Sequence, residues 1–190
     1  MEHGMNAVDR YTRTAILLHW AIAVMIFVNI VLGIGSGYVP DSWVRPMIDL
    51  HKSIGITVLG LVLVRLIWRL THKPPAFPAG YRPWERRAAH GVHLALYGLI
   101  LALPITGWIH DSAWSAAASH PLVLFWVIPW FRLGFITHLA PATKHDLHLW
   151  FGTIHTACSY ALYALLALHI GGALKHQLID RVPELQRMWR

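Results

Sequence analysis

Four apolar runs, each about long enough to cross a bilayer, alternate with short polar stretches along this chain. The first, AILLHWAIAVMIFVNIVLGIGSGYV at residues 15–39, follows a polar, basic leader ending RYTRT at residues 10–14. A hydrocarbon core of about 30 Å needs about 20 helical residues. The run therefore predicts a spanning helix, and it is expected to be retained, because the leader lacks the apolar core and small-residue cleavage site of a signal peptide. GIGSG at residues 33–37 permits close helix contact or a local bend. PDSWVRPMID, residues 40–49, reads as a short connection to a second span at residues 50–70.

Residues 71–90 are proline-rich and basic, and Pro74, Pro75, Pro78 and Pro83 predict a loop through most of them. A third span follows at residues 91–109, with a kink expected at Pro104 and Gly107. The fourth occupies residues 149–174. Between these two, PLVLFWVIPWFRLGFI at residues 121–136 is apolar but is interrupted by Pro129 and Arg132 and is short for a crossing. Its tryptophans and phenylalanines predict short helices lying at the membrane interface. The fold class is thus all-α: one polytopic membrane domain over residues 1–190, a four-helix bundle with a longer extracytoplasmic loop between its third and fourth spans.

Composition agrees with this pattern. The chain is 56% hydrophobic and only 13% charged, where a soluble domain carries about a quarter charged residues. The net charge of +7 does not point to nucleic acid, because the basic residues fall in short clusters beside apolar runs, where membrane topology accounts for them. The leader, the 71–90 loop and the tail carry most of the lysine and arginine, which predicts that both termini are cytoplasmic. Cys158 is the only cysteine. That excludes an intramolecular disulfide, a four-cysteine iron–sulfur cluster and haem attachment through C-x-x-C-H.

The histidines change the picture most. His155 and His169 lie fourteen residues apart in the fourth span, hence roughly 21 Å apart along a helix axis and within about 40° of one face. His19 lies near the start of the first span and His51 at the start of the second, so they fall at opposite membrane levels. Ionisable groups inside a membrane are costly and usually functional, although each histidine could instead pack and hydrogen-bond a neighbouring helix. Two cross-helix pairs at two depths, His19 with His169 and His51 with His155, suit two non-covalent haem b groups, each iron taking one imidazole on either face. His93 rivals His19, His110 rivals His51, and His148 shares a face with His155, so spacing leaves the ligand identities open. Gly55, four residues after His51, leaves room for a macrocycle edge or a helix contact. Arg65 and Arg69 can pair with haem propionates or snorkel to headgroups. Zinc suits the pattern less, because the outer histidines lack a compact cluster with thiolates or carboxylates, and a proton path does not account for grouping at two heights.

RTAILLHW at 13–20, HKSIGITVLGLVLVRLIWRL at 51–70, HGVHLALYGLILALPITGW at 90–108 and HTACSYALYALLALH at 155–169 together resemble the bacterial cytochrome b561 family. That resemblance implies a small four-helix inner-membrane protein with two b haems, axially ligated by His19, His51, His155 and His169, with His90 and His93 opening the third helix as non-ligands. It also implies exchange of electrons with ubiquinone and, in some members, oxidation of superoxide at the outer face. An anionic donor would need a positive field, which Arg132, Lys144, His145 or His148 can supply, although ordinary solvated loop charges look the same in sequence. The chain departs from the shortest members through its longer 112–150 segment. The expected partners are lipid, quinone, a periplasmic electron donor and a second copy in a homodimer. A haem anchor for a separate dehydrogenase or reductase is the alternative function, and a non-haem transporter the lesser one.

Overall fold

The computed structural model describes residues 10–78 and 80–189. The leader's first nine residues and Arg190 of the basic tail lie outside the described residues. Four long helices form the bundle: α1 (Arg13–Gly35), α2 (Asp41–Thr71), α3 (Pro83–Ser112) and, after a two-stranded hairpin of β1 (Val123–Leu124) and β2 (Ile128–Pro129) and one turn of α4 (Gly134–Thr137), α5 (Pro141–Leu174). A π-helical turn, Lys175–Ile179, and the short α6 (Glu184–Arg187) close the described chain. All four long helices are long and apolar enough to cross a membrane.

Three boundaries differ from the sequence expectation, each for a local reason. Asp41–Asp49 is helical, because Asp41 suits a helix N-terminus and Arg45 bonds Asp49 one turn on at 2.9 Å, and the helix continues through Pro46 at the loss of the one N–H bond that position would make to the Ser42 carbonyl. Residues 83–90 are helical too: Pro83 initiates α3 with its preset φ, and the Glu85 carboxylate accepts the Arg82 N–H at 2.9 Å. The loop is therefore limited to residues 72–82. Helix α5 begins at Pro141, about two turns before the expected Leu149, again with proline in its first turn.

The 112–150 segment departs further. In place of a broken helix, residues 121–131 form a tight hairpin with Val123 opposite Pro129 and Leu124 opposite Ile128. Its turn puts Phe125 and Trp126 at φ 50° and 60°, left-handed conformations that side chains with a Cβ rarely adopt. The buried Ser53 hydroxyl of α2 accepts the Phe125 N–H at 2.9 Å and holds that turn. Ser112, fully buried at the end of α3, accepts the Leu133 N–H at 3.0 Å.

Helix α5 packs mainly on α3, α1 on α2, and α2 on α3. The shared core is Ile22, Ile26, Ile54, Val58, Val62, Leu96 and Leu162. Leu17, Val31, Leu70, Leu94 and Leu168 stay exposed on the outer faces, the arrangement expected of a bundle bathed in lipid. The leader, the 72–82 loop and the tail gather at one end, which we call the tail end. There the Tyr11 N–H donates to Arg187 O, Trp20 Nε1 to Met188 O, and Arg187 to the Pro75 and Ala76 carbonyls. The opposite end carries the hairpin.

Candidate haem sites

The helices bring the four expected histidines into two pairs. His51 of α2 faces His155 of α5 near the hairpin end, with ring centroids 6.2 Å apart and planes at 74°. His19 of α1 faces His169 of α5 toward the tail end, at 6.1 Å and 77°. An imidazole nitrogen binds a metal at about 2 Å, and roughly 1 Å more reaches each ring centre, so rings on opposite sides of one ion stand roughly 6 Å apart. Both pairs meet that spacing.

Tautomers at the hairpin end point the same way. His51 Nδ1 lies 3.0 Å from Asn29 O, and His155 Nδ1 lies 3.0 Å from Leu103 O and 3.2 Å from Thr106 Oγ1. A backbone carbonyl only accepts, so each Nδ1 carries the proton and each Nε2 keeps its lone pair, the state a metal ligand needs. The Thr106 hydroxyl itself donates to Leu103 O at 2.9 Å and therefore accepts at His155. Asn29 Oδ1 is buried with no partner on the lining of a cavity of about 1120 Å³ that both histidines share. Ligand cavities commonly run to about 1,000 Å³. This set fits a large group with two axial nitrogens and polar edges.

Glycines make the ring positions possible. A Cβ on Gly33 would lie 3.2 Å from His51 Cε1, and one on Gly107 would lie 3.2 Å from His155 Cε1. Each glycine stands four residues after the carbonyl that its histidine bonds, so carbonyl and glycine form a single cradle on one helix face. Gly55, by contrast, lines the cavity with only ordinary contact, 3.7 Å to Asn29 Nδ2. Sequence reasoning read Gly33 as part of a close helix contact or bend and Gly107 as part of a kink, and passed over Thr106 and the two carbonyls. The i, i+4 relation carries no signal until the partner helix is known.

The rival histidines are placed differently. His110 and His148 stack at 3.8 Å and 16°, and each Nδ1 bonds the other residue's carbonyl, at 2.7 and 3.0 Å. They tie α3 to α5 beside the cavity. Gly152 completes a third cradle of the same kind, and a Cβ there would lie 2.9 Å from His110 Cε1. Gly152→Ala is accordingly expected to destabilise the protein by about 1–3 kcal/mol through overpacking. Gly171→Ala, with open space around it, should be neutral or slightly stabilising. Paired denaturant titrations check this, and equal effects would contradict it. His93 lies 5.2 Å from His169, closer than two ligands across one metal would stand.

Charges differ at the two ends. Arg65 donates to Tyr97 Oη at 3.0 Å and to Ala15 O at 3.2 Å, and Arg69 lies over the Tyr97 ring at 6.0 Å. Neither is within ion-pair distance of a carboxylate among the described residues. Toward the hairpin end each cation has a carboxylate partner, three cations sharing two acids: Asp111 takes Lys52 at 2.6 Å and Arg132 at 2.8 Å, and Asp49 takes Arg45 at 2.9 Å. Arg132 also donates to Ala117 O and His120 O. It is therefore a buried structural cation rather than a free source of positive field. Lys144 and His145 sit on the first turns of α5. Glu85, His176 and Asp180 also converge, with ligand atoms within 4.8 Å of one another, but Lys175 bonds both carboxylates and completes an ion-paired knot beneath the tail. The hydrogen bond from Lys175 is the main reason that the Asp180 carboxyl is held below its usual range.

The family model described as prokaryotic cytochrome b561 matches residues 10–190. Cytochrome b561 homolog 2 of Escherichia coli (strain K12) is 32% identical, over 96% of this chain and 93% of its own length. Cytochrome b561 homolog 1 of the same organism is 28% identical, over 95% and 97%. A Yersinia pestis protein described as "Probable superoxide oxidase CybB" is 26% identical, over 94% and 95%. Since one model spans nearly the whole chain and full-length relatives agree with it, this four-helix membrane protein belongs to the prokaryotic cytochrome b561 family.

Proposed function

We propose that the chain carries electrons between two b-type haems, the first held by His51 and His155 and the second by His19 and His169, and delivers them to a quinone. The observation that carries this reading is the pair of facing imidazoles, 6.2 and 6.1 Å apart, at two levels of one bundle. Haem b, when bound, supplies a one-electron couple. His51 with His155, and His19 with His169, would each hold one such group through two imidazole nitrogens, which would favour electron transfer over binding of oxygen. Their separation along α5, roughly 21 Å by helix rise, sets two stations across the membrane core. Arg65 and Arg69 are placed to meet carboxylates from the cofactor at the tail end.

The clustering of basic residues at the tail end supports a cytoplasmic location for both termini and an inner-membrane setting, with the hairpin loop outside. Ubiquinone is the proposed acceptor, and the name of the Yersinia relative makes superoxide the proposed donor at the hairpin end. Each superoxide oxidised to dioxygen yields one electron, so reduction of one ubiquinone to ubiquinol takes two donor turnovers and two protons.

Purified protein tests the proposal. Two non-covalent low-spin b haems per chain and reduction of ubiquinone by superoxide with no other protein present are the expected results. Quinone reduction only after a soluble redox subunit is added would favour the membrane-anchor alternative. Haem content also ranks the residues. Arg65→Ala and Arg69→Ala are expected to retain more haem than His51→Ala, since a lost propionate contact would leave both imidazoles in place and a lost imidazole would open one coordination position. Equal losses in the three variants would refute that ranking.

A further inference from the structure

The two histidine pairs are built unequally. At the hairpin end both imidazoles donate Nδ1–H to carbonyl oxygens, His51 to Asn29 and His155 to Leu103, and His155 also donates to Thr106 Oγ1. At the tail end neither His19 nor His169 has a hydrogen-bond partner for its ring among the described residues. A donated Nδ1–H makes the opposite nitrogen a stronger electron donor to iron, which stabilises the oxidised metal. Fixed charge works in the same direction. Arg65 and Arg69 gather on Tyr97 at the tail end with neutral protein partners, whereas Lys52, Arg45 and Arg132 at the hairpin end share two carboxylates, Asp49 and Asp111, which leaves one positive charge there against two at the tail end. Positive charge that no protein carboxylate matches is left to offset the cofactor's own carboxylates, and this favours the form of a centre that holds the extra electron.

Building on the two-haem reading above, we infer that the Asn29 and Leu103 carbonyls, with Thr106, act as positioning groups that lower the reduction potential of the hairpin-end site below that of the tail-end site. The device makes transfer directional. As the His51–His155 centre is oxidised by one electron, the His19–His169 centre is reduced by one, with no bond or proton exchanged between them. Electrons admitted beneath the hairpin thus run downhill toward the end that gathers both termini. The cradles serve this purpose as well as fit: Gly33 and Gly107 let each ring settle onto its helix so that the Nδ1–H···O bonds form at 3.0 Å.

Spectroelectrochemical titration of the full-length, haem-loaded protein in detergent tests the inference. Two one-electron waves are expected, separated by at least about tenfold in equilibrium constant, which is about 59 mV for one electron. The wave that His51→Ala removes should be the lower one, and the wave that His19→Ala removes the higher. Thr106→Val keeps the shape of a buried side chain and should raise the lower wave while leaving the higher in place. Gly33→Ala should do the same by displacing His51 from its carbonyl, whereas Gly171→Ala should move neither. Waves in the reverse order, coincident waves, or a lower wave that both Thr106→Val and Gly33→Ala leave unmoved would overturn the polarity while the two-haem reading stands. A single haem in the wild-type protein would overturn the two-haem reading and the polarity with it.

Discussion

Replacing His155 with alanine is expected to remove one haem, or convert it to a high-spin form, while the second stays recognisable. His51→Ala should give the same spectrum, and His19→Ala and His169→Ala should together give the other. The reason is geometric. Each member of a pair faces its partner across about the distance that two ligands of one metal require, and the pairs lie roughly three helical turns or more apart on α5. Loss of an imidazole opens one coordination position and leaves the other site's ligands untouched. His93→Ala and His110→Ala are the informative controls, and both should keep two low-spin haems. His93 stands only 5.2 Å from His169, and His110 already stacks on His148. Low-temperature visible and electron paramagnetic resonance spectra, with haem counted per chain, decide the matter. Loss of a haem in His93→Ala with both haems kept in His19→Ala would transfer the ligand role to α3.

Asp111→Ala is expected to be the most damaging change away from the histidines, costing about 3–5 kcal/mol, because removing one partner of a buried ion pair leaves the other charge unpaired. Asp111 joins Lys52 of α2 to Arg132 of the loop after the hairpin, and the Asp111 and Arg132 side chains are 7% and 8% exposed. Without the carboxylate, Arg132 keeps its bonds to Ala117 O and His120 O but loses its countercharge. The hairpin and α4 should then loosen from the bundle. Equilibrium unfolding in mixed micelles measures the stability, and limited proteolysis across residues 113–140 reports the loosening. A cost below about 1 kcal/mol with unchanged cleavage would show that the two hydroxyl anchors, Ser53 and Ser112, hold the loop unaided.

Much of this protein was legible along the chain because a bilayer imposes a one-dimensional rule. Each backbone polar group inside it must be paired within its own segment, so a long apolar run can only be a helix, and four runs mean four crossings. The histidine spacing was legible for a related reason: helix rise and turn are constants, and so His155 and His169 must share a face wherever α5 lies. Proline misled the reading at only one end of the 71–90 stretch. Pro74, Pro75 and Pro78 do belong to the loop, whereas Pro83 starts a helix, and only the Glu85 carboxylate bonded to the Arg82 N–H distinguishes the two cases.

Tertiary structure decided the rest. Nothing local favours a tight turn at Phe125-Trp126, which lacks the glycine or asparagine that such a turn usually takes. A hydroxyl 72 residues away on α2 holds it. The proposed preference for His19 over His93 rests on a difference of about 1 Å in ring separation, which helical periodicity does not resolve. The cradles could not be read because a carbonyl is common to all residues and a glycine to many contexts. They become a site only when a histidine from another helix arrives opposite. Sequence alone pointed to the proposed class of chemistry, since histidines at two depths of an apolar bundle suit few groups besides haem. Packing determined which nitrogen each hairpin-end histidine offers, because the carbonyl that claims Nδ1 belongs to a neighbouring helix.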